Sequence, residues 1–274
     1  GHHAKPRGNS MNGDITYNSN DLQTFSNATN VGIFTNLIDH TSLPEKTIAL
    51  YAMADADGSS IPAINYPSKK ITIGGVIKGS TQADLDSRID TFKGYFTGKN
   101  KNLDIAYGSS TRRYVATANG VSVIRQQKAL FATFQVEFIC TNPFGIDTSS
   151  TDLWAIKSNF TSATFTETPT VGGNAPFQLP IFTITIDALT GAGDYVLISN
   201  DNNNQEIMVN GLGLIAGDVI VIDCVERTVT VNGAQVDYFG TFLELEPGAN
   251  SITYTDGFTT RTVDVAATYT KRWL

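Results

Sequence analysis

The chain has 274 residues, 19 Lys and Arg against 26 Asp and Glu, and a formal charge of −7, with a pI near 4.9. That balance excludes a protein that grips nucleic acid through its phosphates, because such binding needs clustered cations that release counterions. A hydrophobic content of 41%, without any run of about 18 apolar residues, describes a globular chain without a membrane span, long enough for two cores.

Residues 1–10, GHHAKPRGNS, carry two histidines and no apolar stretch, so they read as a tag remnant, with a native start expected at Met11. Residues 11–145 are expected to form a first domain. KKITIGGVIKGST contains a strand over Ile71–Ile77, where Gly74 and Gly75 suggest a bulge or a close approach of two backbones. A helix follows in QADLDSRIDTFKGYF: Thr81 and Asp84 form a start signal, and Leu85, Ile89, Phe92 and Phe96 make one apolar stripe. Asp84, Asp86 and Asp90 lie early and Lys93 late, as the helix dipole favours. Next come LDIAYG and TRRYVATANG, with Arg112, Arg113 and Tyr114 at a turn-to-strand junction. From Leu130 to Cys140 the even positions are apolar, while Thr133, Gln135 and Glu137 fall on the other face, the alternation of a half-buried strand. A curved sheet with one packed helix is the expected unit.

Residues 146–176 are dense in Thr, Ser, Gly and Pro and read as a linker or arm, although Trp154, Phe160 and Phe165 imply that part of it packs. Residues 177–274 are all strand and turn. FTITIDAL, YVLISN, EIMVNG, DVIVIDCV, RTVTVNG, SITYTD and RTVDVAATY recur at the spacing of a β-sandwich. Asn232-Gly233 is the strongest hairpin signal in the chain. Cys140 and Cys224 lie on apolar strands of different domains and read as buried free thiols, which fits synthesis in a reducing cytoplasm.

The order of these motifs resembles the distal tail (Dit-like) proteins of siphoviruses, phages with long non-contractile tails. The run from Ile71 to Gly145 has the family's strand, helix and long-strand sequence. APFQLPIFTITI, IMVNGLGLIAGDVIVIDCVERTVTVNG and LELEPGANSITYTDG resemble its galectin-like, jelly-roll C-terminal domain. Asn12 to Ala56 follows the pattern only loosely. The resemblance implies a mainly β virion protein made in the host bacterial cytoplasm. It would be a baseplate hub whose first domain assembles into a homohexameric ring between the tail tube and the tail-tip protein. DNA would pass through the ring without being held, and a receptor-binding protein or host-surface polysaccharide would be a further partner. It also implies an oligomer interface at Arg112, Arg113 and Tyr114; by themselves these residues read equally as a solvated strand end. The other readings are a lectin-like baseplate module, a major tail-tube protein and a glycan-cleaving enzyme.

The inventory for chemistry is thin. Beyond the first ten residues His40 is the only histidine, and no nucleophile elbow accompanies it. One histidine and two distant cysteines lack zinc spacing. Gly211, Gly213 and Gly217 are one residue too widely spaced for a dinucleotide fingerprint, and a strand follows them. Lys78-Gly79-Ser80-Thr81 reverses the order a phosphate loop needs. Asp55-Ala-Asp57-Gly58 and Asn200–Asn204 with Glu206 offer calcium-type oxygens, but read as Asx turns. Trp154, Tyr195, Tyr238, Phe239, Phe242, Tyr254 and Tyr269 could form a sugar-stacking platform, though their alternation places most of them in a core. No catalytic residue, metal or cofactor is expected.

Overall fold

The computed structural model describes residues 15–39, 42–44, 46–49, 51–52, 59–60, 64–108, 110–126, 128–190 and 195–274. Residues 1–10, Met11, His40 and the Asp55–Gly58 cluster lie outside the described residues. The chain is mainly β and divides between Ile146 and Asp147 into two units.

In the first unit the strands are β1 (Ile15–Tyr17), β2 (Asn20–Asp21), β3 (Gly32–Asp39), β4 (Lys69–Lys78), β5 (Lys101–Tyr107), β6 (Ser110–Arg125) and β7 (Phe131–Cys140). They pair antiparallel in the order β2-β1-β5-β6-β7-β4-β3. Helix α1 (Gln82–Gly94) starts where its sequence says it should: Thr81 is extended, and its hydroxyl accepts from the Asp84 N–H at 3.1 Å. Such a cap is worth about 1 kcal/mol. The Asp84 carboxylate in turn accepts from the Ser80 N–H at 2.8 Å and from Arg88 Nε at 3.0 Å. Leu85, Ile89 and Phe92, followed by Phe96, are buried as one stripe against the sheet. The Phe92 ring lies 4.6 Å from that of Phe134 and 4.9 Å from that of Phe96.

The core face of β7 is Ala132, Phe134, Val136, Phe138 and Cys140, all buried. Leu130 departs from the alternation: it precedes the strand, in a turn, and is 38% exposed. The glycine pair of β4 also resolves. Register between β4 and β7 is continuous from Lys69–Cys140 to Lys78–Phe131, so the pair marks a close approach and not a bulge. Irregularities fall instead on β3, where Leu37 stands opposite Ile73 and Asp39 opposite Thr72, and on β6. Ala118 stands opposite Phe138 and Gly120 opposite Glu137, which leaves Asn119 as the extra residue.

The second unit is a sandwich of two antiparallel sheets. Its labelled strands are β8 (Thr164–Glu167), β9 (Pro180–Thr190), β10 (Val196–Asn200), β11 (Gln205–Val209), β12 (Val219–Asp223), β13 (Thr228–Val231), β14 (Ala234–Gln235), β15 (Ile252–Asp256) and β16 (Thr260–Tyr269). One sheet runs β16-β9-β12-β13-β14, with Thr151–Asp152 and Lys157–Phe160 added against β16; the other runs β8-β15-β10-β11 and ends on Phe239–Gly240. Residues 151–171, which by composition read as part of a join, therefore contribute strands to this unit. Both inner faces meet in one core that includes Phe182, Ile184, Ile198, Ile207, Ile220 and Val265. Asn232 and Gly233, at φ 51° and 80°, close the two-residue turn from Val231 to Ala234 that their sequence announces.

Candidate functional site

Two features of the first unit's sheet lack a partner among the described residues, and together they form its candidate site. The first is a face. Residues directly opposite in an antiparallel ladder share a face. The α1 side takes Ile71, Ile73, Phe134, Val136 and Phe138. The opposite side carries Thr72 beside Glu137, Val76 beside Thr133, Ser122 beside Gln135 and Ile124 beside Thr133. Thr72, Ser122, Thr133 and Gln135 give this face hydroxyls and an amide beside the apolar Val76 and Ile124, and Lys70 and Glu137, 3.9 Å apart, offset one another's charge. Asn119 adds a 2.9 Å hydrogen bond to Glu137.

The second feature is an edge. β6 runs for 16 residues, but β5 covers it only from Ser110 to Ala116. The strand that begins at Gly145 also pairs with β6, with Gly145 lying against Arg112 and Tyr114. From Ala118 to Arg125 the register partners of β6 all lie on β7, and its other edge has no register partner among the described residues. Val121 and Ile124 lie there, 37% and 60% exposed, with Phe131 opposite the end of the ribbon at 38%. A shallow cleft of about 450 Å³ crosses the ribbon at Gly120, Val121, Ser122, Gln135 and Glu137. Arg125 fixes the end of this half strand, reaching Asp86 of α1 at 2.7 Å and hydrogen-bonding Gln82. An unpaired edge with exposed apolar side chains is the feature that natural sheets cover or pair.

The expected interface residues lie at the opposite end of β6 and have three separate roles. Arg113 holds Asp104 of β5 with Nε and Nη2, each 2.7 Å from a carboxylate oxygen, and this pairing raises the guanidinium pKa further. Arg112 stacks over the Tyr107 ring, its guanidinium carbon 4.0 Å from the ring centre. Tyr114 is wholly buried, and burial pushes its hydroxyl pKa well up. Only the two arginines therefore keep exposed surface.

Below them is a residue that motif reasoning passes over. Lys69 is 2% exposed, with its Nζ 5.4 Å from the centre of the Tyr114 ring and no hydrogen-bond acceptor among the described residues. Desolvation lowers its pKa. Its strand partner Cys140 has its thiol pushed up to about 12 by burial. The signal is available in the sequence: Lys69 shares the parity of Ile71 and Ile73, which face the core.

The readings set aside on sequence have physical accounts in the second unit. In the Asn200–Asn204 run three asparagines spend their side-chain oxygens on backbone N–H groups: Asn200 accepts from Asn202, Asn203 from Gln205, and Asn202 from Ser251. Trp154, Tyr254 and Tyr269 are core residues and not a stacking platform. Tyr238 and Phe239 alone of the singled-out aromatics are large exposed surfaces, at 40% and 60%. No described helix is long and apolar enough to cross a membrane.

Comparison with known proteins gives matches for each unit. The family described as siphovirus-type tail component, C-terminal domain, matches residues 172–273, and the phage tail protein RIFT-related domain matches residues 24–140. The distal tail protein of Bacillus phage SPP1 is 23% identical over 186 residues, 67% of this chain and 69% of its own length. The crystal structure of SPP1 Dit, described as a paradigm of the hub adsorption apparatus in phages infecting Gram-positive hosts, has a TM-score of 0.61 at 14% identity, across 95% of this chain and 99% of that one. The phage P2 baseplate in its activated conformation with Ca aligns over 86% of this chain and 90% of its own, at 9% identity and a TM-score of 0.39.

Proposed function

We propose that this chain, which belongs to the distal tail protein family of siphovirus tail components, closes with five further copies into a ring that joins the tail tube to the tail-tip apparatus. It is a structural protein of the virion, and we assign it no catalytic step. The observation that carries the reading is the sheet of the first unit, whose half strand from Ala118 to Arg125 has register partners on one edge only among the described residues. Identical subunits can satisfy such edges by pairing or packing arms around a closed ring, which leaves no surface for open aggregation. A face whose hydroxyls and amide stand beside a mutually offset Lys70–Glu137 pair, in an acidic chain, suits a channel wall along which DNA slides. On this reading its partners are the tail-tube protein above and the tail-tip protein below, and Arg112 and Arg113, which keep part of their surface exposed, add contacts between subunits.

The test is imaging. Mixed with its tail-tip partner and viewed by negative stain, the chain should give ring-shaped particles with a central hole. Long tubes formed by the chain alone would favour a tail-tube protein instead, and a persistent monomer in the mixture would count against the hub.

A further inference from the structure

On the second unit, a cleft of about 280 Å³ opens at the free edge of the sheet that ends on β14. Its walls are Arg227, Thr228, Gln235, Asp237 and Tyr238, with Val229 and Val236 between them. The Tyr238 ring is 40% exposed and is braced by Phe242, with ring centres 4.9 Å apart at 60°.

Three aspartates of this unit hold its turns and strands together: Asp201 accepts from Ser251 and Thr253, Asp218 from Ile215 and Asn232, and Asp223 from two turn N–H groups. In the cleft, the Gln235 and Asp237 side chains make no hydrogen bond among the described residues. The Arg227 guanidinium is 70% exposed and meets only Glu244, at 3.8 Å. Arg227 also sits at φ 55°, in the left-handed region where six of the nine non-glycine residues with positive φ, among those described, are asparagines. An arginine there is a poor choice for the turn itself.

We infer that this cleft is a saccharide subsite that takes one neutral pyranose residue of a glycan. A pyranose has an apolar C–H face and a rim of hydroxyls that both donate and accept. An exposed aromatic ring suits the face, and planar Arg, Gln and Asp side chains suit pairs of adjacent hydroxyls. One cation and one anion in the lining leave no net charge to select an ionic ligand. The cleft falls just below the range of about 300–1,000 Å³ usual for small-molecule sites, so it accommodates a single ring. The inference is independent of the hub reading, because the open sheet that carries that reading belongs to the other unit.

The experiment is titration of the full chain, followed by NMR, with the methyl glycosides of glucose, galactose, N-acetylglucosamine and rhamnose. At least one should bind in the millimolar range, and Tyr238→Ala and Asp237→Asn should each weaken it by about tenfold or more. Arg227→Asn separates binding from folding. Asparagine accepts the left-handed backbone, so this variant should melt at or above the parent temperature while losing about tenfold or more in affinity. Lys93→Ala, in the other unit, should leave binding unchanged. Absence of binding by all four glycosides at tens of millimolar, or an affinity that Arg227→Asn and Tyr238→Ala leave intact, would overturn the inference.

Discussion

Phe134 occupies the space that Gly75 leaves empty across the β4–β7 ladder. A Cβ on residue 75 would lie 2.9 Å from Phe134 Cζ and would collide with the Phe34 carbonyl oxygen on the other side. Gly75→Ala should therefore destabilise the chain by about 1–3 kcal/mol, as overpacking does. Gly94, where an added Cβ meets nothing within 4 Å, is the control, and Gly94→Ala should be neutral or mildly stabilising. Urea melts of the two variants check the pair; equal effects would contradict the close-approach account.

Phe92 is buried between Phe96 and Phe134, whereas the Lys93 side chain is 56% exposed. Phe92→Ala should cost about 3–5 kcal/mol, and Lys93→Ala should stay within about 0.5 kcal/mol of the parent. Similar small losses at both positions would mean that the stripe does not carry the core.

Asp84 gives a pH dependence with a defined sign. The Ser80 N–H, and after it Arg88, hold its carboxyl below the usual carboxylate range. A depressed folded pKa contributes stability above the unfolded value of about 3.9 and loses it as pH falls through the folded value. Asp84→Asn should melt below the parent at neutral pH, with the gap closing below about pH 4. A gap of constant width across that range would refute the assignment.

Both thiols are shielded. Burial pushes Cys140 and Cys224 up to about 12, so neither is ionised at neutral pH. The native chain should not react with an aromatic disulfide reagent near pH 8, and denaturation in guanidinium should release both thiols. Fast labelling of either thiol in the native state would show that its unit opens readily.

Ile124 tests the open edge. It is 60% exposed, so Ile124→Lys should leave the melt of the free chain within about 0.5 kcal/mol of the parent. In the imaging experiment the same change should sharply reduce ring particles, because a charge on a sheet edge opposes pairing. Undiminished rings would move the subunit contact away from this half of β6.

Where local code dominates, the fold is legible in the sequence. The α1 cap and stripe, the core parity of β7 and the Asn232-Gly233 turn each depend on residues a few positions apart, and each stands as the spacing implies. The features that escape such reading depend on how strands are paired. The length of β6 beyond β5 is a property of its neighbour, and the displaced residue at Asn119 comes from matching β6 to β7. The segment 151–171 has a composition suited to a linker, yet its strands add to both sheets of the second unit; partners a hundred residues away decide this, as Trp154 Nε1 shows by donating to the Val265 carbonyl at 3.4 Å. Resemblance assigns Tyr114 to an interface, although its parity with Ala116 already points inward.

The displaced residue of β6 has an evolutionary consequence. Tyr114, Ala116 and Ala118 lie on the core side before Asn119, and Val121 and Val123, opposite Val136 and Phe134, lie on that same side after it, although Val121 is 37% exposed; the extra residue is absorbed without inverting the remainder of the strand. Removing it would leave the same side chains on the same faces and would change chiefly the local twist of the ladder. The direction in which the outer half of β6 presents its edge can thus drift by single-residue insertion or deletion while the core composition stays fixed. Fit between neighbouring subunits and foldability of one subunit are, at this position, separate traits on which selection can act independently.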